Sequence, residues 1–299
     1  MTFPFVGPRR TRGSVLSAIA RRLAHPLLLL GVLCTAVATL RFHWAPDQVS
    51  PLVLIAVICY LAALERVIPH RADWHPSGRE LRWYGVYFVL SMLGGGLAQG
   101  LVTALVGVVG PSRPALPFAA EIPLALLLGS LGDYLVHRWS HRNRWLWRLH
   151  GVHHVPDKVN VANNGVNHFL DVLFAQSVVQ LLLAIIGFSA DSVFVVGIFV
   201  MAQGYFVHAN IDVRIGWLGH VLAGPELHRL HHSTDLAEAG HYASDLSLWD
   251  HVFGSFTWRP GRIPETVGLT DPTAFPATGE LGATLLHPWR RMETTEQSV

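Results

Sequence analysis

The chain has 299 residues, 51% hydrophobic and 14% charged, with a net charge of +2 and a mean hydropathy of +0.36. A charged fraction so far below the roughly 25% of ordinary soluble domains excludes a simple water-exposed globule, and so small a net charge gives no case for a nucleic-acid partner. Cys34 and Cys59 both fall in apolar runs, where they read as packing residues and not as a disulfide or metal pair.

A basic N-terminal stretch, 1–23, leads into six apolar runs at 24–40, 49–65, 84–110, 116–136, 171–189 and 191–208. Each approaches the roughly 20 residues needed to cross hydrocarbon. The third has no charged side chain from Tyr84 to Ser112, and the glycines at 94–96 within it are expected to allow close helix packing. The start of the chain has basic residues, an apolar run and small residues near Ala36–Ala38, as a signal peptide does; the spans that follow favour an uncleaved first helix. Arg9, Arg10, Arg12, Arg21 and Arg22 precede the first run, and Arg66, Arg71, Arg79 and Arg82 separate the second from the third. Arg41 is the only basic residue between the first two. This bias predicts a cytoplasmic N-terminus and returns every histidine cluster to the cytoplasmic side. The expectation is an all-α integral membrane protein, with about four to six membrane helices and a cytoplasmic helical cap. Within it, 1–23 is a cytoplasmic N-terminus, 24–115 holds the first membrane helices, and 116–258 holds the catalytic domain. The proline-rich segment 259–299 is an irregular cytoplasmic tail with no site of its own.

The histidines carry the chemistry. Among 18 in the chain, His137 and His141 form HRWSH, His150, His153 and His154 form HGVHH, and His228, His231 and His232 form HRLHH. On a helix, positions i, i+3 and i+4 lie within one turn, so each string is expected to aim its imidazoles at one point. Eight imidazoles exceed the four ligands of a tetrahedral zinc and point to two closely spaced transition-metal ions. Asp133, one turn before His137, is costly inside a membrane without a partner and is expected to hold a ligand's second N–H. Asp171, Asp235 and Asp250 are weaker candidates for that role, and Glu121 is expected at the far membrane face.

The order HRWSH, HGVHH, a single histidine in VHANI, HRLHH and LSLWDHVFGSF resembles the fatty acid hydroxylase and sterol desaturase superfamily of integral-membrane di-iron oxygenases, over about residues 120–258. The resemblance implies His137, His141, His150, His153, His154, His208, His228, His231 and His232 as ligands of two non-haem irons. It leaves His168, in NGVNHFLD, as a ligand or an outer partner. Where many family members carry asparagine before an aromatic and a small residue, this chain has His241-Tyr242-Ala243, so His241 is a further candidate for either role. The implied reaction is O2-dependent hydroxylation or desaturation of a lipid, fatty-acyl or sterol-like substrate. No cytochrome, flavin or iron–sulfur segment is recognisable, so electrons must come from a separate donor of ferredoxin, flavodoxin or cytochrome type with its reductase. Arg138, Arg142, Arg144 and Arg148, interleaved with Trp139, Trp145 and Trp147, could dock such a carrier or anchor the chain at the interface. A zinc-dependent membrane hydrolase and a non-enzymatic metal or haem carrier are the alternatives from other classes.

Overall fold

The computed structural model describes residues 15–109, 116–258 and 261–290. Arg9, Arg10, Arg12, Ser112, Arg259 and Pro260 lie outside the described residues. Among the described residues six long helices form the body: α1 (Val15–Phe42), α2 (Pro46–Val67), α3 (Gly78–Val109), α4 (Phe118–Arg142), α6 (Phe169–Ile186) and α7 (Ala190–His208). All six are long and apolar enough to cross a membrane, and the chain is a multi-pass membrane protein. Four shorter helices, α5 (Arg144–His150), α8 (Pro225–His231), α9 (Leu248–Val252) and α10 (Leu281–Leu286), belong to the cap. No strand occurs among the described residues.

Local chemistry sets several of the breaks. Pro46 opens α2, where its missing N–H costs nothing. The Asn143 side chain accepts from Trp145 N and Leu146 N and so restarts the chain as α5 after α4 stops. Gly187, at φ 84°, takes the left-handed conformation that ends α6, and the Ser189 hydroxyl caps α7.

The helices alternate in direction, which puts one end of each at a common face. At the cap end Arg21 pairs with Asp212 at 2.9 Å, and Asp212 N donates to Ile68 O. At the far end the Glu121 carboxylate accepts from Ser189 N and from the Ser192 hydroxyl, closing the α6–α7 turn onto α4. Between these faces α1, α2 and α7 share a core of Leu28, Val32, Val53, Val57, Leu61, Phe194, Ile198 and Phe206. Packing of α3 on α6 is close at Gly94, where an added Cβ would lie 2.5 Å from Phe169 O; Gly95 and Gly96 have open space. Only one of the three expected glycines therefore serves that contact.

Two further differences from expectation concern the cap. The third span begins at Gly78, and its first turns pass beyond the membrane run into the cap, where Tyr84 and Tyr87 pack with Trp147, Val152, Val166 and Phe275. The tail is not simply irregular: α10 docks on α3 through a Tyr87–Thr284 hydrogen bond of 3.1 Å, and Phe275 is buried in the cap core. Prolines broke the local helical signal, but apolar residues between them found a distant surface.

Candidate metal centre

Five elements deliver the histidines to one place. His137 and His141 sit one turn apart at the cap end of α4, and His150 ends α5. His153 and His154 occupy the 3-10 turn 151–154, His208 ends α7, and His228, His231 and His232 come from α8 and its C-cap. Their ring nitrogens gather into two groups: His137, His141, His150, His154 and His231, and then His153, His208, His228 and His232. Within each group the ligand atoms lie within 4.8 Å of one another. His137 and His141 of HRWSH do share a group, but the expectation that each string converges on one point is corrected for HGVHH and HRLHH. In α8 His228 and His232, four apart, share a face, while His231 is turned about 100° from its neighbour and faces the other group. HGVHH divides the same way, with His150 and His154 in the first group and His153 in the second. The groups abut, since the rings of His154 and His232 stack at 4.3 Å.

Hydrogen bonds fix the tautomers. Nδ1–H of His137 donates to Tyr242 O (2.5 Å), that of His153 to Val166 O (3.2 Å), that of His208 to Asn160 O (2.9 Å), and that of His231 to Gly240 O (3.0 Å). His150 Nδ1–H donates to the Asp171 carboxylate at 3.0 Å. Each bond leaves Nε2 with a free lone pair. Buried ring nitrogens without a hydrogen-bond partner include Nε2 of His137, His150, His154, His208 and His231, both nitrogens of His141, and Nδ1 of His228. An unsatisfied buried polar group costs roughly 1–3 kcal/mol, so this convergence is hard to sustain unless the lone pairs have something to bind. Burial, reinforced by neighbouring imidazoles, holds His153, His154, His228 and His232 well below the usual histidine range and His231 down to about 3. These rings are neutral at ordinary pH, which is the form that binds a cation.

The remaining candidates take other positions. His168 is outside both groups: its Nδ1 accepts from Leu170 N as the cap of α6, and its Nε2 faces Leu285 O. His241 is also outside them, with Nε2 accepting from Thr257 Oγ1 at 3.1 Å. Its φ of +61° lies in the left-handed region where asparagine is favoured over most side chains. Asp133 accepts from the Ser244 hydroxyl at 2.9 Å and makes no hydrogen bond to a ligand ring among the described residues. The carboxylate that holds a ring is Asp171, from the next membrane helix. Asp250 accepts from Tyr242 N and the Ser255 hydroxyl, pinning the turn whose carbonyl receives His137. Asp235 pairs with Arg262 at the surface. Trp147 and Arg148 are buried, Arg148 donating to Pro288 O and Arg290 O, which leaves Trp139, Arg142, Arg144 and Trp145 as the exposed part of the basic aromatic stretch.

Glu65 was not anticipated. Its Oε1 accepts from Val161 N and Asn210 N, both at 2.7 Å, tying α2 to the turn whose Asn160 carbonyl receives His208. The available signal was a carboxylate inside an apolar run. Beside the first group lies a cavity of about 270 Å³ lined by His141, His154 and His231, by Trp147, Leu236, Leu269 and Phe275, and by Ser233, Thr270 and Asp271. The tail thus supplies part of the site, contrary to expectation.

Residues 122–255, which span all nine converging histidines, match the fatty acid hydroxylase family. This segment is a fatty acid hydroxylase domain. The protein is an oxygen-dependent oxidoreductase. Ornithine lipid hydroxylase OlsE of Rhizobium tropici is 28% identical over 83% of this chain and 80% of its own length. The alkylglycerol monooxygenases of Danio rerio (31% identical) and Homo sapiens (28%) match half of this chain, and the match spans a third of their length. No solved structure matches.

Proposed function

We propose that the protein is a membrane-bound di-iron hydroxylase acting on a polar-headed lipid. His137, His141, His150, His154 and His231 would hold one iron, and His153, His208, His228 and His232 the other. The observation that carries this reading is the sharing of both HxxHH strings between two adjoining groups, which supports two neighbouring ions better than one. Iron bound there would supply the oxidant for an unactivated C–H bond, which no side chain can attack unaided. Hydroxylation then converts C–H, O2, two electrons and two protons into C–OH and water.

The chain's own residues have defined tasks. Asp171 keeps the proton on His150 Nδ1 and raises the basicity of Nε2, and backbone carbonyls orient four further rings. Trp147, Leu236, Leu269 and Phe275 keep the cavity apolar around the reacting carbon. The names of the relatives support a lipid substrate. Electrons would come from a separate protein docking near exposed Arg142 and Arg144, and the arginine bias supports a cytoplasmic cap.

The test is total metal analysis with Mössbauer spectroscopy on detergent-purified protein from cells grown on iron-57. Two non-haem irons per chain that change state on exposure to oxygen are expected. Stoichiometric zinc with no iron-supported activity after reconstitution, or a haem spectrum, would overturn the proposal.

A further inference from the structure

Two cap segments run down beside the membrane helices from the level of the histidines, where Arg138 donates to Phe253 O at 3.0 Å. The first, 215–223, contains the 3-10 turn Gly216–His220; the second, 244–253, contains α9. Their attachment points fix their depth. Asp245 Oδ1 accepts from the Ser130 hydroxyl at 2.5 Å, and Trp249 Nε1 donates to the same hydroxyl at 3.1 Å. Ala223 O accepts from Gln203 Nε2 at 2.6 Å, and Ala223 N donates to Asp245 O.

Glu121, with Ser189 and Ser192, forms a polar cluster at the far end of the bundle, which serves as the depth reference. Helical rise puts Ser130 roughly 13 Å above Glu121 on α4, and Gln203 roughly 16 Å above Ser192 on α7. On α2, Pro46 to Arg66 covers about 30 Å, the thickness of the hydrocarbon layer. Both anchor points are therefore far inside that layer, and the segments bonded to them cannot lie above the membrane.

Their outer side chains suit such a position. Trp217 is 76% exposed and Val252 60%, and Val221, Leu248 and Phe253 are exposed beside them. Backbone groups are largely bonded within the short turns, as hydrocarbon demands: Val221 N and Leu222 N donate to Leu218 O, and Phe253 N to Trp249 O. The two segments are joined by the Ser247 hydroxyl donating to Gly219 O at 2.7 Å, and the exposed imidazoles of His220 and His251 face each other at 3.2 Å. We infer that the lower parts of residues 215–223 and 244–253 form a wedge inserted among the acyl chains of the cap-side leaflet, with Trp217, Val221, Leu248 and Val252 in contact with lipid. This also accounts for Asp133 and Ser130 within α4: with Ser244 and Asp245 they are the polar latch that holds the wedge down. The inference rests on the multi-pass arrangement and not on the metal or the substrate.

The experiment uses full-length protein in phospholipid nanodiscs. Spin labels are placed on single cysteines at 217, 252 and, as a control on the cap, 280, in a Cys34→Ala, Cys59→Ala background. Collisions with oxygen and with a water-soluble nickel chelate are compared. Labels at 217 and 252 should show an oxygen-to-nickel ratio about tenfold or more above that at 280, because hydrocarbon excludes the polar nickel probe. Equal ratios at all three positions would overturn the inference. Trp217→Phe gives an independent reading in otherwise unmodified protein. The fluorescence lost with Trp217 should be quenched by lipids brominated on their acyl chains and not by acrylamide; the opposite pattern counts against the wedge.

Discussion

Replacing Asp171 should weaken one metal site and spare the other. The Asp171 carboxylate accepts a 3.0 Å hydrogen bond from His150 Nδ1, and His150 belongs to the group of five imidazoles. The four rings of the second group have other partners: carbonyls for His153 and His208, and each other for His228 and His232. Loss of an outer carboxylate typically lowers metal affinity 10–100-fold, about 1.4–2.7 kcal/mol. Asp171→Ala should cost that much at the first site. Asp171→Asn should cost less, because its amide oxygen can still accept from Nδ1 and hold the tautomer. Both variants also lose a negative charge from the first turn of α6, about 0.3–1 kcal/mol of stability, so Asn controls for folding. Titration of the loaded protein with a competing chelator, fitted to two sites, reads each affinity separately. Unchanged affinity in Asp171→Ala, or equal weakening at both sites, would refute the assignment of His150 and its partner.

Burial holds His241 down to about 4, so the unfolded chain takes up a proton there before the folded one does. That contribution is present above about pH 6.5 and is lost as pH falls towards 4, at up to about 1.4 kcal/mol per pH unit. His241→Asn should keep the full iron content and lower the acid sensitivity of thermal unfolding in detergent; loss of iron would restore His241 as a ligand. Gly94→Val should destabilise by about 1–3 kcal/mol in the same melt, since its side chain meets the α6 backbone, whereas Gly95→Ala should not. Glu65→Leu strands the N–H groups of Val161 and Asn210 at about 1–3 kcal/mol each and should release metal from the His208 site first. Glu65→Gln should retain it, and equal metal loss in both variants would show that charge, not hydrogen bonding, is what Glu65 supplies there.

The sequence by itself determined the membrane architecture and the metal-binding character of the site. Both are written in short-range pattern: apolar runs near 20 residues, and histidines three and four apart. Burial of His208 among the other rings also agrees with its place in the motif order. What each imidazole does was decided by the tertiary structure. His153 and His154 are neighbours in the chain and belong to different groups, because their partners come from α7, α8 and α4. The choice of Asp171 over Asp133 depends on how α6 packs beside α5, and Asp133 instead meets Ser244, 111 residues away. His241 lies outside both groups on a left-handed backbone that no spacing rule encodes. Phe275 reached the cavity because apolar side chains in a proline-broken tail bury wherever a matching surface exists. Periodicity reports which residues share a turn; which turns meet is settled only when distant segments compete for the same buried space.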